Sequence, residues 1–237
     1  MSDHDPTYAA KLVSLLARAS RSPPTFIDVG ACRGDFSALL SGAFPDALVH
    51  AFEPNPALIA ALEDRFRATP HVQVRNTAIH EKRGSLPLRV HADPGTSSLL
   101  PRSTDARRYF HSSDRVAATV PVPTLSLDDF LDAELPNGVT LLKLDTQGAE
   151  LAILRGAIRA LAAATIDVIY TEFFLVPHYA GAPLLTDLME LLARYGYLAF
   201  DIFKGPYARN GQLRFGDAIF VSPAFRARHL DSFPEES

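Results

Sequence analysis

The chain has 237 residues, of which 47% are hydrophobic and 21% charged, so it can bury a sizeable core and is not a disordered chain. The formal net charge of -4 argues against a general nucleic-acid binder, and the single cysteine, Cys32, excludes an internal disulfide framework. No signal peptide or transmembrane run is visible. We therefore expect one soluble, cytoplasmic domain over residues 1–237, without a nucleic-acid partner or membrane insertion.

The predicted elements alternate between helix and strand from the start of the chain. An amphipathic helix over 8–19 lies in a lead-in that ends at residue 23, because two prolines stop the helix before the first strand. Strands at 25–30, 47–53 and 72–79 follow, with helices near 35–42 and at 56–68. This alternation predicts parallel strands joined by right-handed crossovers.

Residues 83–123 break the alternation. Their apolar runs are short, are interrupted by Pro and Gly, and have no long helix between them. We interpret this segment as an insertion of short strands and loops over the C-terminal edge of the sheet. It carries several arginines close together, including Arg102 and Arg115, which we interpret as a solvated loop in preference to a functional basic patch.

The alternation resumes after the insertion and predicts an α/β protein with a mostly parallel sheet. The remaining elements are a short helix at 125–131, a strand at 140–145, a helix at 149–162, a strand at 166–172, a helix at 183–195 and strands at 197–203 and 217–222. Only turn chemistry separates the last two strands, so we expect them to pair antiparallel. We expect the tail from Ser222 to add little to the core.

A glycine-containing loop after the first strand is the most informative motif. The strand ends at Asp28, and Gly30 and Gly34 punctuate the loop before a helix begins, which brings backbone N–H groups close to a ligand. Glu53 ends the second strand about 20 residues on, where nucleoside-binding α/β folds place the carboxylate that accepts hydrogen bonds from ribose hydroxyls. The two features together predict a nucleoside cofactor, although the spacing is not that of the dinucleotide fingerprint.

Acidic residues end four of the predicted parallel strands. They are Asp28, Glu53, Asp145 and Glu172. Buried parallel strands are otherwise apolar, and open sheets bind ligands outside the carboxyl ends of their strands, so this pattern favours a functional site. Lys143 shares a strand face with Asp145, and we interpret it as the partner of a buried carboxylate in preference to a catalytic group.

Three segments of the chain resemble the FkbM family of S-adenosylmethionine-dependent methyltransferases. They are residues 26–37, 52–56 and 142–150, and residues 123–130 and 151–156 fit the same pattern. The resemblance implies a class I methyltransferase (Rossmann-like) fold, with a seven-stranded sheet, helices on both faces and an antiparallel last strand. It also implies O-methyl transfer to a hydroxyl of a sugar, a polyketide or a related small-molecule or glycan acceptor.

The same resemblance implies a binding site for S-adenosylmethionine and its product S-adenosylhomocysteine. The implied contacts are Asp28, Gly30, Ala31 and Gly34 under the methionine part, Glu53, Pro54 and Asn55 at the ribose, Asn76, Thr77 and Ala78 beside the adenine, Ser98 closing over the site, and Asp145 beside the loop. The chain departs from the family pattern at Cys32, usually Asn, and at Gln147, usually Glu. The second departure puts the role of Asp145 in question.

A hydroxyl acceptor needs a base or a metal ion to draw off its proton. Asp145 is the first candidate, either as base or to orient the acceptor or the cofactor amino group. Glu172 would line the acceptor pocket, and His178 lies in the loop beyond it as a second possible base, although a lone loop histidine is more often a surface residue. These three side chains could bind a divalent cation such as Mg²⁺, but no ligand spacing demands one.

Two other functions remain open at this point. An NAD(P)-dependent oxidoreductase would share the acidic residue after the second strand but not the rest of the motif. A non-catalytic interaction module would keep the methyltransferase fold after losing cofactor binding. The sequence does not determine the acceptor or the oligomeric state.

Overall fold

The computed structural model describes residues 8–104, 106–109, 115–135 and 137–231. The elements up to the middle of the chain are α1 (Tyr8–Leu16), β1 (Thr25–Val29), α2 (Asp35–Ala43), β2 (Leu48–Phe52), α3 (Pro56–Arg65), β3 (Val72–Arg75), β4 (Ala78–His80), β5 (Gly84–His91), α4 (Ala106–Tyr109) and β6 (Val116–Ser126). They are followed by α5 (Leu127–Glu134), β7 (Val139–Leu144), α6 (Glu150–Arg155), α7 (Ile158–Ala162), β8 (Ile166–Phe174), α8 (Leu185–Arg194), β9 (Leu198–Lys204), β10 (Phe215–Val221) and α9 (Pro223–His229).

A seven-stranded sheet in the order β3-β2-β1-β7-β8-β10-β9 forms the centre of the fold. Strands β3, β2, β1, β7 and β8 run parallel, whereas β10 is antiparallel to both β8 and β9. The predicted α/β fold and the antiparallel pairing of the last two strands are confirmed. A chain that leaves β9 without a crossover helix can return beside it only by reversing direction.

Two large apolar clusters cover the seven-stranded sheet, one on each face. One contains Leu142 and Ile169 with side chains of α5 to α8, and the other contains Leu141 and Val168 with side chains of α1 to α3. Every residue of β7 and β8 is buried, as expected for central parallel strands covered on both faces. No helix in the described ranges has both the length and the apolar character needed to cross a membrane.

The predicted strand at 72–79 is wrong in extent, because two strands of different sheets occupy it. β3 ends at Arg75, and β4 begins at Ala78 and pairs with β6 in a second, three-stranded sheet. The side-chain amide of Asn76 donates to the backbone oxygens of Glu53 and Pro54, so the turn is tied to the end of β2. This anchored turn redirects the chain from one sheet to the other.

The insertion at 83–123 contains longer strands than the pattern predicts. β5 and β6 form an antiparallel ladder from Gly84 to His91, and β6 continues to Ser126, so the predicted helix at 125–131 begins only at Leu127. The hydroxyl of Ser126 caps this helix by accepting from the Asp129 N–H. Strands of the insertion therefore form most of an ordered second sheet.

Two further predictions differ from the structure. The helix at 149–162 is divided into α6 and α7 around Gly156, where a Cβ atom would lie 2.4 Å from the backbone oxygen of His80. The tail after Ser222 forms α9, and its Phe225 is 1% exposed within the core. The expectation that this tail adds little to the core is wrong.

Candidate active site

The carboxyl ends of the parallel strands open onto a cavity of about 1100 Å³. Among the predicted site residues, its wall includes Gly30, Ala31, Glu53, Pro54, Ala78, Lys143, Asp145, Glu172 and His178. As formed by the described residues, the wall leaves out Asp28, Gly34, Asn55, Asn76, Thr77 and Ser98. The acidic residues Glu53, Asp145 and Glu172 thus border one cavity, while the second group is outside its wall, with Asn76 exposed to solvent.

The glycine loop has a backbone that a larger residue would disturb. Gly30 has a φ of 79°, and a Cβ atom there would lie 1.9 Å from the backbone oxygen of Asp145. The N–H groups of Gly30 and Ala31 both donate to the Phe52 oxygen at 3.0 Å, which ties the loop to β2. Gly34 also has a positive φ, where it precedes α2. These contacts set the shape of the loop that borders the cavity.

Asp28 and Lys143 form a buried ion pair beneath this loop. The Asp28 side chain is fully buried, and it accepts a hydrogen bond from Ser37 at 2.7 Å while lying 2.9 Å from the Lys143 ammonium group. Lys143 also donates to the Gly30 oxygen at 2.8 Å. Asp28 therefore supports the loop from behind. The predicted interpretation of Lys143 as the partner of a buried carboxylate matches this geometry.

Glu53 is fixed at the opposite side of the loop by backbone donors. Its two carboxylate oxygens accept from the N–H groups of Cys32 and Asn55, each at 2.8 Å. Burial raises the pKa of Glu53 above its ordinary value, while these two hydrogen bonds act in the other direction. The carboxylate is 6% exposed and borders the cavity, so it presents acceptor oxygens to a ligand.

The loop after β5 borders the cavity and is anchored by Ser98, which forms a single bridge to Arg89 of β5. The Ser98 hydroxyl donates to the backbone oxygen of Gln147 at 2.7 Å and accepts from the Leu100 N–H at 3.0 Å. Ser98 is 1% exposed, and its hydrogen bond to Gln147 joins the insertion to the turn after β7. Its neighbours Thr96, Ser97 and Leu99 line the cavity.

The carboxylates at the ends of β7 and β8 are linked by one amide. Nε2 of Gln147 donates to Asp145 Oδ1 at 2.9 Å and to Glu172 Oε2 at 2.8 Å. Burial, followed by the charge of Asp145, raises the pKa of Glu172 well above its ordinary value. Glu172 consequently holds its proton to a higher pH than an exposed glutamic acid does.

Sequence reasoning missed two residues beside this pair. The guanidinium group of Arg102 lies 4.7 Å from the ring centroid of Tyr179 and contacts His178 Nε2. Arg102 borders the cavity, so its interpretation as part of a solvated loop is wrong. The one available signal for Tyr179 was its place next to His178; the contact with Arg102 joins segments far apart in the chain.

Aromatic side chains cover the cavity on the side of α1 and β10. Tyr170 stacks at 5.4 Å from Phe36 and 5.8 Å from Tyr8, measured between ring centroids. Phe174 and Phe215 form a second pair of rings at the mouth of the cavity. Within the described part of the chain, no three His, Cys, Asp or Glu side chains are grouped as metal ligands.

Comparisons with known proteins relate this chain to methyltransferases. A family model described as "Methyltransferase FkbM domain" matches residues 28–199, in agreement with the resemblance seen in the motifs. The chain is 30% identical over 157 residues to "Methyltransferase sdnD" of Sordaria araneosa, which covers 57% of this chain and 61% of that protein. It therefore spans less than two thirds of that relative's length.

Two further comparisons cover more of the chain. It is 24% identical over 194 residues to "2-O-methyltransferase NoeI" of Sinorhizobium fredii, which covers 80% of this chain and 78% of that protein. The crystal structure of magnesium protoporphyrin IX methyltransferase from Synechocystis PCC 6803, with bound S-adenosylmethionine, superposes with a TM-score of 0.51 at 11% identity. That match covers 90% of this chain and 77% of the other and shows a shared fold.

Proposed function

Because the chain belongs to the methyltransferase FkbM domain family, we propose that it transfers a methyl group from S-adenosylmethionine to a hydroxyl group of a small-molecule or glycan acceptor. The observation that carries this proposal is a single cavity with two chemically different sides. The first side consists of Glu53 and the glycine loop, at the ends of β2 and β1, and the second consists of the linked carboxylates of Asp145 and Glu172, from the adjacent β7 and β8. The first side suits a nucleoside, and the second suits a group that loses a proton.

The residues on the first side fit S-adenosylmethionine. Glu53 would accept from the ribose hydroxyls, since its oxygens border the cavity and are already oriented by backbone donors. Ala78, Ile79 and Leu99 supply apolar surface for the adenine. The volume of about 1100 Å³ leaves room for an acceptor beside the cofactor, because ligand pockets typically span about 300–1,000 Å³.

Alignment and proton removal are the tasks left to the protein. When bound, S-adenosylmethionine supplies a sulfonium methyl group, whose carbon–sulfur bond breaks toward sulfur as the acceptor oxygen bonds to the carbon. Asp145 is partly exposed to the cavity and takes the hydroxyl proton. His178 is the weaker candidate, because Arg102 can only donate and therefore engages the lone pair of His178 Nε2.

The aromatic wall supports an acceptor with a flat or ring-shaped body. Phe36 and Tyr170 lie on the side of Lys143, and Phe174 and Phe215 lie beyond Glu172. Aromatic faces pack well against the C–H face of a sugar or against a planar ring, and a few polar groups then orient the molecule. The name of the Sinorhizobium fredii relative, a 2-O-methyltransferase, is compatible with such an acceptor.

Calorimetric titration with S-adenosylmethionine and S-adenosylhomocysteine tests the cofactor, with NAD and NADP as controls. We expect binding of the two sulfur nucleosides with a Kd in the micromolar range and no heat from the dinucleotides. Binding of NAD would favour the oxidoreductase, and absence of any nucleoside binding would favour a non-catalytic module. A transfer assay with labelled methyl groups then compares hydroxylated acceptors with their amine analogues, with and without Mg²⁺.

A further inference from the structure

Gln147 occupies an unusual position in the turn between β7 and α6. Its backbone has a φ of 57°, a conformation that residues other than glycine rarely adopt. All polar atoms of its side chain are engaged: Nε2 donates to Asp145 and Glu172, and Oε1 accepts from the Tyr179 hydroxyl at 2.8 Å. A strained residue held in one arrangement beside a cavity is a feature that functional sites commonly show.

The contacts of this amide offset the repulsion between the carboxylates of Asp145 and Glu172. Two ionised carboxylates accept hydrogen bonds but cannot donate them, so a close pair in a buried site repels. A shared proton, a cation or a neutral donor can hold such a pair together. Here the amide directs one hydrogen to each carboxylate, at 2.9 Å to Asp145 and 2.8 Å to Glu172. It adds no charge, so the negative character of the pair is kept.

We propose that Gln147 is a positioning residue of the methyl-transfer site, whose amide bridges Asp145 and Glu172 in the place of a divalent cation and aims Asp145 at the acceptor hydroxyl. The catalytic part of this inference rests on the proposed function. The bridge itself does not, because it concerns only three side chains of this chain.

The surrounding turn holds the amide where the bridge needs it. From the loop after β5, the Ser98 hydroxyl donates to the backbone oxygen of Gln147. On the other side, the carboxylate of Glu150 accepts from the N–H groups of Thr146 and Gly148, at 2.9 and 3.0 Å. With Tyr179 on Oε1, the side chain is fixed at its base and at its tip. The left-handed backbone is therefore imposed by the fold and directs Nε2 between the two strand ends.

Two substitutions test whether catalysis depends on the amide bridge or on the left-handed backbone conformation of Gln147. Gln147→Leu fills a similar volume but removes the donor. Gln147→Asn suits the left-handed backbone better but is too short to reach both carboxylates. We expect kcat to fall about 10- to 100-fold in both variants, while the Kd for S-adenosylmethionine stays within about twofold. If Gln147→Leu keeps the wild-type kcat, the proposal is wrong. It is also wrong if Gln147→Leu loses kcat while Gln147→Asn keeps the wild-type value.

The pH profile of kcat provides a readout that a purely structural role would not move. Without the donor, the acid limb should shift to higher pH, because the ionised pair loses its stabilising hydrogen bonds. Glu172 also faces the carboxylates of Glu150 and Asp217, which stay in place in every variant and contribute equally to each profile. An unshifted acid limb in Gln147→Leu contradicts the proposed role.

Titration with Mn²⁺ alone tests the bridge without an acceptor or an activity. Gln147→Glu has nearly the same shape and presents a third carboxylate in place of the donor, so we expect it to bind one Mn²⁺ at least tenfold more tightly than the wild type. If the two proteins bind Mn²⁺ with equal affinity, the proposal that the amide takes the place of a cation is wrong. If the wild type shows no methyl transfer, the proposed function fails, but this titration still decides the bridge.

Discussion

The ammonium group of Lys143 lies 2.9 Å from a carboxylate oxygen of Asp28, and neither side chain is more than 6% exposed. Burial by itself lowers the pKa of Lys143, but the charges of Asp28 and Asp145 outweigh it and raise that pKa above its ordinary value. Lys143 stays charged, and its further hydrogen bond to the Gly30 oxygen joins the ion pair to the loop. One buried pair thus links two central strands to the proposed cofactor site.

Replacing one partner of this ion pair should lower the free energy of unfolding more than replacing both. Lys143→Met leaves Asp28 as an uncompensated buried charge, so we expect the free energy of unfolding to fall by about 3–5 kcal/mol. The double variant Lys143→Met, Asp28→Leu removes both charges and should recover part of that loss. Urea unfolding of the wild type, the single variants Lys143→Met and Asp28→Leu, and the double variant measures the coupling; a double variant that loses the sum of both single effects would contradict it.

The identity of the base is tested by comparing Asp145 with His178. Asp145→Asn keeps the shape of the side chain but removes the proton acceptor, so we expect kcat to fall about 10²- to 10⁴-fold with little change in cofactor affinity. His178→Ala should slow turnover less, since Nε2 is engaged by Arg102. Steady-state kinetics of the two variants at several pH values decides the matter. A larger loss in His178→Ala would transfer the role to the imidazole.

The ribose assignment predicts a specific loss of affinity. Glu53→Ala removes the acceptor oxygens and leaves the N–H groups of Cys32 and Asn55 without partners. We expect binding of S-adenosylhomocysteine to weaken by about 1–3 kcal/mol. Calorimetry against Glu63→Ala, an exposed glutamate on α3, controls for a general effect of lost charge. The assignment is wrong if Glu53→Ala binds as tightly as the control.

Cys32 should react slowly with alkylating reagents, although it borders the cavity. Burial raises its pKa to about 11 from 9.0, and the charge of Glu53 adds to the effect. The thiolate is the reactive form, so alkylation by iodoacetamide at pH 8 should be about 100-fold slower than in the unfolded chain. The chain has one cysteine, so the incorporated mass reports this site alone. Saturating S-adenosylhomocysteine should slow the reaction further, and equal rates with and without it would argue against cofactor contact.

His50 should make stability depend on pH. Burial, followed by the charge of Arg75, lowers its pKa to about 4 from 6.5. Between these two values the unfolded chain binds the proton and the folded chain does not, so stability is lost as the pH falls from 6.5 toward 4. The contribution of this one group is up to about 3 kcal/mol. Urea unfolding at pH 7 and pH 5 should show a smaller difference for His50→Gln than for the wild type.

The sequence alone determined the order of the elements and the chemistry of the strand ends. Alternating strand and helix patterns are local, and they require parallel strands whose carboxyl ends meet at one edge. Gly30, Glu53 and Asp145 directly follow the last residues of β1, β2 and β7, whereas β8 continues two residues past Glu172 to Phe174. The antiparallel last pair also follows, because a short turn cannot hold a crossover.

Only the tertiary structure decided which distant segments complete the site. β4 pairs with β6, which lies far along the chain, and the loop after β5 brings Ser98 to Gln147 and Arg102 to Tyr179. No local pattern places a glutamine amide between two carboxylates, since that arrangement depends on the register of β7 and β8 and on a left-handed turn. Contacts of this kind are selected by packing across the whole fold, whereas periodicity reports only neighbours along the chain.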